Sequence, residues 1–161
     1  MSRDEVDQGL PLFAGYQRFY GVLEPDDEQN RLFFARFAEP SRDGLLLGAW
    51  DDRALVGFAC LYWTFSSVMA ARIALLSDLF VTERARGRGL GRALIGAALD
   101  ATRRHRLGQL EWYTAPDNEI AQRVYDATGA RRSTWIGYEI RHRRSEWTMS
   151  STSGSDEWEM Y

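Results

Sequence analysis

Apolar and polar positions follow two periods along this chain, one near 3.6 residues and one of two. "LPLFAGYQRFYGVL" and "DDEQNRLFFARFAEP" carry apolar residues at helical spacing, and the second places Leu32, Phe33, Phe37 and Ala38 on one stripe with charges opposite. Pro40, Asp43 and Gly44 close that helical region. "GLLLGAW" then predicts a strand, "DDR" (Asp51 to Arg53) a tight turn, and "ALVGFACLYWTF" a longer strand. Small and polar residues from Ser66 to Ala71 predict a loop. The mostly apolar run "RIALLSDLFV" fits a central strand covered on both faces.

A glycine-rich loop follows. "LGRALIGAALDATRRHRL" predicts a helix with Leu90, Leu94, Ala97 and Ala101 along one side and arginines toward its carboxyl end, where the helix dipole favours cations. "QLEWYTA" predicts another strand, interrupted by Pro116, Asp117 and Asn118. Asn118 is placed to cap the helix "EIAQRVYDAT", which Gly129 ends. "STWIGYEI" predicts a closing strand. The order predicts one mixed α/β domain over residues 1–147, with a polar tail over 148–161 and no internal repeat. The glycine loop falls at the carboxyl end of a central strand, where open sheets bind ligands.

Composition narrows the chemistry. With 161 residues, 45% hydrophobic and 27% charged, the chain fits one ordinary globular domain. Cys60 is the sole cysteine and His105 and His142 the only histidines, so neither a disulfide framework nor a histidine or cysteine metal centre is expected. No apolar run reaches the roughly 20 residues of a membrane helix. The polar, acidic "MSRDEVDQG" is a poor secretory start, and a cytoplasmic location is the expectation. Net charge is −3, which gives the whole chain no electrostatic reason to bind nucleic acid. All 20 cationic side chains are arginine, a compositional bias more than a functional signal.

The stretch "TERARGRGLGRALI" packs three glycines and four arginines before an apolar helix. A Walker A loop requires lysine, then Ser or Thr, after its last glycine; here Gly91 is followed by Arg92 and Ala93. The dinucleotide pattern G-x-G-x-x-G fails too, since the sixth position is Arg92 counted from Gly87 and Leu94 counted from Gly89. What remains is R-G-R-G-L-G-R, Arg86 to Arg92. Its glycines let several N–H groups converge on one point at a helix amino terminus, a site suited to a diphosphate. A glycine-rich helix start with solvated arginines and no ligand is the competing explanation.

"DLFVTERARGRGLGRAL" resembles the R-x-x-G-x-G signature of the GNAT superfamily of acyl-CoA N-acyltransferases. "NEIAQRVYDATGA" (Asn118 to Ala130) resembles that family's later N-x-x-A-x-x-x-Y-x-x-x-G-A segment. The resemblance covers roughly residues 44 to 140, and with "GFACLYWTF" and "SDLFV" it is most similar to the spermidine/spermine N-acetyltransferase-like branch. It implies a central, mostly antiparallel, splayed sheet flanked by helices. It also implies acetyl-CoA as cosubstrate, with no metal, a small-molecule amine as acceptor, and a homodimer.

By the same resemblance, the backbone of Leu79, Phe80 and Val81 would pair with the pantetheine arm of CoA. The amides of Arg86, Gly87, Arg88, Gly89, Leu90, Gly91 and Arg92 would hold its pyrophosphate, and Asn118 would touch it near the splay. Tyr125 would be the acid for the departing thiolate, although at helical spacing from Ala121 it is also readable as a packed aromatic. The branch carries a Glu-Asp pair where this chain has Ser77-Asp78. Asp78 is then a candidate base or amine-binding group, or instead a loop cap or a partner for Arg72. Tyr62, Trp63, Phe65 and Ser66 are candidates to line the acceptor slot, or core residues. Cys60 reads as a small buried strand residue, not a nucleophile. Peptide amino-terminal or lysine acetylation, a non-catalytic CoA-binding module, and nucleic-acid binding through the arginines are the competing functions.

Overall fold

The computed structural model describes residues 1–134, 136–138 and 140. The first helix, α1 (Arg3–Phe19), begins well before the apolar periodicity suggests. Its start is fixed by Ser2, whose N–H donates to the Glu5 carboxylate at 2.7 Å, the reciprocal arm of a Ser-x-x-Glu capping box. Val6, Leu10 and Phe13 then face inward while Asp4 and Asp7 stay in solvent. Helix α2 (Asp27–Ala35) is capped by Asp26, which accepts from the Gln29 N–H at 3.0 Å. Its inward residue is Phe34, stacked on Phe13 with ring centroids 3.8 Å apart. Leu32 and Phe33 are exposed, which corrects the expected stripe; only Phe37 and Ala38 of it are buried. Consecutive apolar residues leave the phase of a short helix ambiguous, and the ring stack decides it.

Strands β1 (Gly44–Asp51), β2 (Ala54–Ser66) and β3 (Ala71–Val81) form an antiparallel meander. The chain then makes a 3-10 turn (Glu83–Ala85) and enters α3 (Leu90–Arg104). It returns as β4 (Leu110–Glu111), parallel to β3, and continues into α4 (Glu119–Asp126). The sheet order is β1-β2-β3-β4. The expected strand "QLEWYTA" is thus reduced to two residues.

Both sheet faces are covered. On one, α1 and α2 enclose Leu46, Phe58 and Cys60. On the other, Leu94, Ile95, Ala98 and Ala101 of α3 pack on Leu45, Ala59, Leu61, Ala74 and Leu76. The buried face of α3 therefore includes Ile95 and Ala98, where the sequence pattern suggested Leu90 and Ala97. This is the expected mixed α/β layering with a mostly antiparallel sheet.

Internal contacts divide the chain into Met1–Arg131, which holds every element above, and Arg132–Tyr161. The strand expected over "STWIGYEI" lies partly outside the described residues, and those described there are in no strand. The tail and the expected boundary at 147 lie outside them altogether. Among the described residues no helix is long and apolar enough to cross a membrane.

Candidate active site

The site starts where the sheet opens. β3 and β4 pair only at Ala74–Leu110 and Leu75–Glu111, after which β3 runs on to Val81 while the chain beyond Glu111 leaves the sheet. Among the described residues, Leu79, Phe80 and Val81 thus have a strand neighbour on the β2 side only. The N–H and C=O groups of Leu79 and Val81, which alternate with those of Phe80 and point away from β2, border a gap that an amide-bearing chain can fill by strand-like pairing. One of these groups is engaged already: the Val81 carbonyl accepts from Arg86 Nε at 3.1 Å.

A β-bulge at Ser77 decides which side chains face which layer. Cys60 lies opposite Asp78, but Leu61 lies opposite Leu76, so β3 carries one extra residue. Alternation is broken there. Ala74 and Leu76 face α3, and so do Leu79 and Val81, which leaves Asp78 and Phe80 on the α1 face. Without the extra residue Asp78 would share the apolar face of Leu76.

On the α1 face Asp78 meets two phenols. Tyr16 of α1 donates to its Oδ1 at 2.6 Å, and Tyr62 of β2 points its hydroxyl at Oδ2 from 3.4 Å. Burial lifts the Asp78 carboxyl above its ordinary value, and hydrogen bonds from Tyr16, Ser77 and Tyr62 pull it partway back. Burial, together with the carboxylate, pushes both phenols well above the usual tyrosine range. Asp78 is therefore neither a loop cap nor paired with Arg72, which is exposed further along the strand. Tyr16 is the group that sequence reasoning missed. It lies one turn past Phe13 on a visible helical stripe, but its partner is 62 residues away. Buried Cys60, opposite Asp78, has its thiol pushed up by desolvation and by that carboxylate, which suits an inert core residue.

The aromatics of β2 separate by strand alternation. Tyr62 is on the Asp78 face. Trp63 packs on the α3 face, tilted against His105 with centroids 4.9 Å apart. Phe65, opposite Arg72 near the β2–β3 turn, is 74% exposed, and Ser66 closes the strand beside it. The fold does not bring Trp63, Phe65 or Ser66 to Asp78, which corrects the expected acceptor slot.

At the far end of β3 the glycine loop adopts the conformation its sequence implies. Gly87 and Gly89 have φ of +75° and +79°, and a Cβ at either position would meet nothing within 4 Å. The glycines are therefore needed for backbone shape and not for local packing. Gly89 is the N-cap of α3 with no side-chain capping bond, so the first-turn amides have no capping side chain. The arginines contribute less bare charge than expected. Arg88 is held bidentately by Asp51 at 2.6 and 3.1 Å, and Arg86 reaches back to β3 with its guanidinium 5.9 Å from the Phe19 ring centroid. The Arg88 guanidinium in turn holds the Asp51 carboxyl below its usual range.

Asn118 caps α4, accepting from the Ala121 N–H at 3.2 Å, and Gly129 follows the helix with φ of +80°. Tyr125 of α4 is half-buried on the α3 side, edge-on to Trp112 at 5.6 Å. Burial raises its phenol, and the nearby Tyr20 of α1 adds to the shift. The Tyr125 hydroxyl makes no hydrogen bond among the described residues. Tyr20 also acts on Tyr16, so one helix end lies close to both the carboxylate network and the Tyr125 phenol.

A sheet opened beside one strand, with a left-handed glycine loop and a helix start lacking a capping side chain at that opening, is the arrangement that the resemblance to acyl-CoA N-acyltransferases implies. Residues 11–130 match the profile of the Acetyltransferase (GNAT) family, and the chain belongs to that family. It is 34% identical to the uncharacterised N-acetyltransferase YhfO of Bacillus subtilis over 77% of this chain and 82% of that one. It is 30% identical to the D-amino-acid N-acetyltransferase HPA3 of Saccharomyces cerevisiae, over 71% of each chain. The crystal structure of a probable acetyltransferase superposes with a TM-score of 0.78 at 29% identity, covering 89% of this chain and 96% of the other. The chain is an N-acetyltransferase of this family.

Proposed function

We propose that this enzyme transfers the acetyl group of acetyl-CoA to a primary amine by direct attack, with both substrates bound together. The reading is carried by one observation: a glycine loop, an open strand edge, a partly buried carboxylate and a half-buried phenol all lie along or beside the carboxyl half of β3.

The residues present fit the cosubstrate. Open space above Gly87 and Gly89 and the uncapped start of α3 suit a diphosphate held by the amides of residues 86–92. The edge of Leu79, Phe80 and Val81 suits the pantetheine amides, with Asn118 near the same opening. When bound, acetyl-CoA supplies a thioester whose carbon–sulfur bond is exchanged for a carbon–nitrogen bond to the amine.

The protein's own groups supply the proton traffic. An alkyl ammonium with a pKa of about 10.4 is about one part in 10³ neutral at pH 7. Asp78, with its affinity for a proton raised by burial, attracts that ammonium and accepts the proton it sheds. A main-chain N–H near Phe80 faces the developing oxyanion. Tyr125, protonated across the neutral range, gives its proton to the leaving sulfur. The spermidine/spermine-like branch is supported by the motif order but not by the acceptor side, where exposed Ser77 stands in for a second carboxylate.

Calorimetry with acetyl-CoA, followed by thiol release against a panel of amines, tests the reading. Valine at Gly89 disfavours the left-handed conformation by about 1–2 kcal/mol, so the loop is expected to relax out of it and acetyl-CoA binding, which must restore it, to weaken by about tenfold in Gly89→Val. Wild-type-like circular dichroism would show that the fold persists. Absence of any saturable heat with acetyl-CoA for the wild type overturns the proposal.

A further inference from the structure

The last turns of α1 build an aromatic shelf over β3. Tyr16 lies 5.0 Å from Tyr20 and 5.7 Å from Phe80, while Phe19 lies 5.2 Å from Tyr20 and 6.3 Å from Phe80, centroid to centroid. Phe19 and Tyr20 are 61% and 66% exposed, unusual for rings that already have aromatic neighbours. Asp78 sits two residues from Phe80 on the same face of β3, hydrogen-bonded to Tyr16. It is the sole carboxylate of this cluster among the described residues: the groups acting on it are Tyr16, Ser77 and Tyr62. The charge next to the shelf has the opposite sign, being the Arg86 guanidinium over Phe19.

We infer that the acceptor is a monoamine with an aryl or similarly apolar body, its ammonium on Asp78 and its body on the shelf of Phe19, Tyr20 and Phe80. This deepens the proposed transfer and rests on Asp78 being the amine site. The physics favours one positive charge only. A single ammonium gains the carboxylate and the faces of the rings around it. An apolar body gains about 25 cal/mol for each Å² it removes from water against Phe19 and Tyr20. Among the described residues a second ammonium finds no second acid in the cluster, and it meets Arg86 at the rim. The single carboxylate and the aromatic shelf beside it therefore both favour a monocation that carries a ring.

The test compares 2-phenylethylamine, ethylamine, phenylalanine and spermidine by kcat/KM for thiol release, alongside protection of the full chain against thermal unfolding by each amine. 2-Phenylethylamine is expected to exceed both ethylamine and spermidine by about tenfold or more, in line with burial of one phenyl ring. Phe19→Ala, an exposed substitution, is expected to raise KM for 2-phenylethylamine by about fivefold, the worth of one ring contact, and to change that for ethylamine less. Spermidine or ethylamine turned over at least as well as 2-phenylethylamine overturns the inference and leaves acetyl transfer to amines standing. Phenylalanine preferred over 2-phenylethylamine also overturns it, because the carboxylate would then be read by Arg86. Saturable protection by 2-phenylethylamine without turnover of any amine upholds the shelf and fails the transfer reading. No protection and no aryl preference overturns it.

Discussion

Tyr125→Phe is expected to lower kcat by about 10²-fold, the usual worth of a positioned general acid, with acetyl-CoA affinity unchanged. The substitution is clean on structural grounds. Tyr125 packs edge-on to Trp112 through its ring, which phenylalanine keeps. The hydroxyl has no partner among the described residues, so its removal orphans nothing and thermal stability should hold. Burial and the neighbouring Tyr20 raise the phenol above its ordinary range, so it keeps its proton through neutral and mildly alkaline pH. The alkaline fall in kcat assigned to this group should therefore lie above the pKa of about 10 of a free tyrosine. Steady-state thiol release and calorimetry on wild type and variant give both numbers. A variant with wild-type kcat removes Tyr125 from proton delivery and returns it to the role of a packed ring.

Much of this arrangement is legible in the chain, and the failures have particular causes. The glycine loop was readable because left-handed turns and an uncapped helix start demand specific residues at specific offsets, and Gly87 and Gly89 take the implied conformation. Asn118 as a cap and Gly129 as a terminator follow from equally local chemistry. The bulge at Ser77 does not announce itself. "LLSDLF" is apolar on both sides of one inserted residue, so the face of Asp78 becomes known only from the register with β2. Tyr16 and Arg88 were opaque for a different reason: each finds its carboxylate across a long sequence separation, 62 residues in one case and 37 in the other. Trp63 and Phe65 were misplaced against a rule that was available, since strand alternation from Tyr62 already sends both to the opposite face. In this chain local geometry was decodable and pairing across elements was not.

Asp78→Asn separates function from stability in a way few other substitutions here would. Asparagine keeps the size of the side chain and an oxygen to accept from Tyr16, and its amide can donate to the phenol oxygen of Tyr62. It cannot take a proton from an amine or balance an ammonium. Turnover is expected to fall by about 10²-fold or more, the scale of a lost general base. Stability should move the other way. Burial raises the Asp78 carboxyl in the folded state above its unfolded value, so the fold prefers the protonated form. Its favourable contribution is complete below the unfolded pKa of about 3.9 and disappears as pH climbs through the raised folded value. Asparagine has no such titration, so the melting temperature of the variant should gain on wild type as pH rises from 4 toward 8. Tyr16→Phe supplies the matching test of position. The Tyr16 hydrogen bond lowers the Asp78 pKa, so its loss should shift the acid limb of the wild-type pH–kcat/KM profile to higher pH. A Tyr16→Phe profile that coincides with wild type, or an Asp78→Asn enzyme that retains full turnover across the alkaline range, shows that the carboxylate does not handle the proton of the amine. The partly buried acid would then be a structural burden with no chemical use, a cost that a core of phenylalanine and tyrosine rings gives no reason to retain.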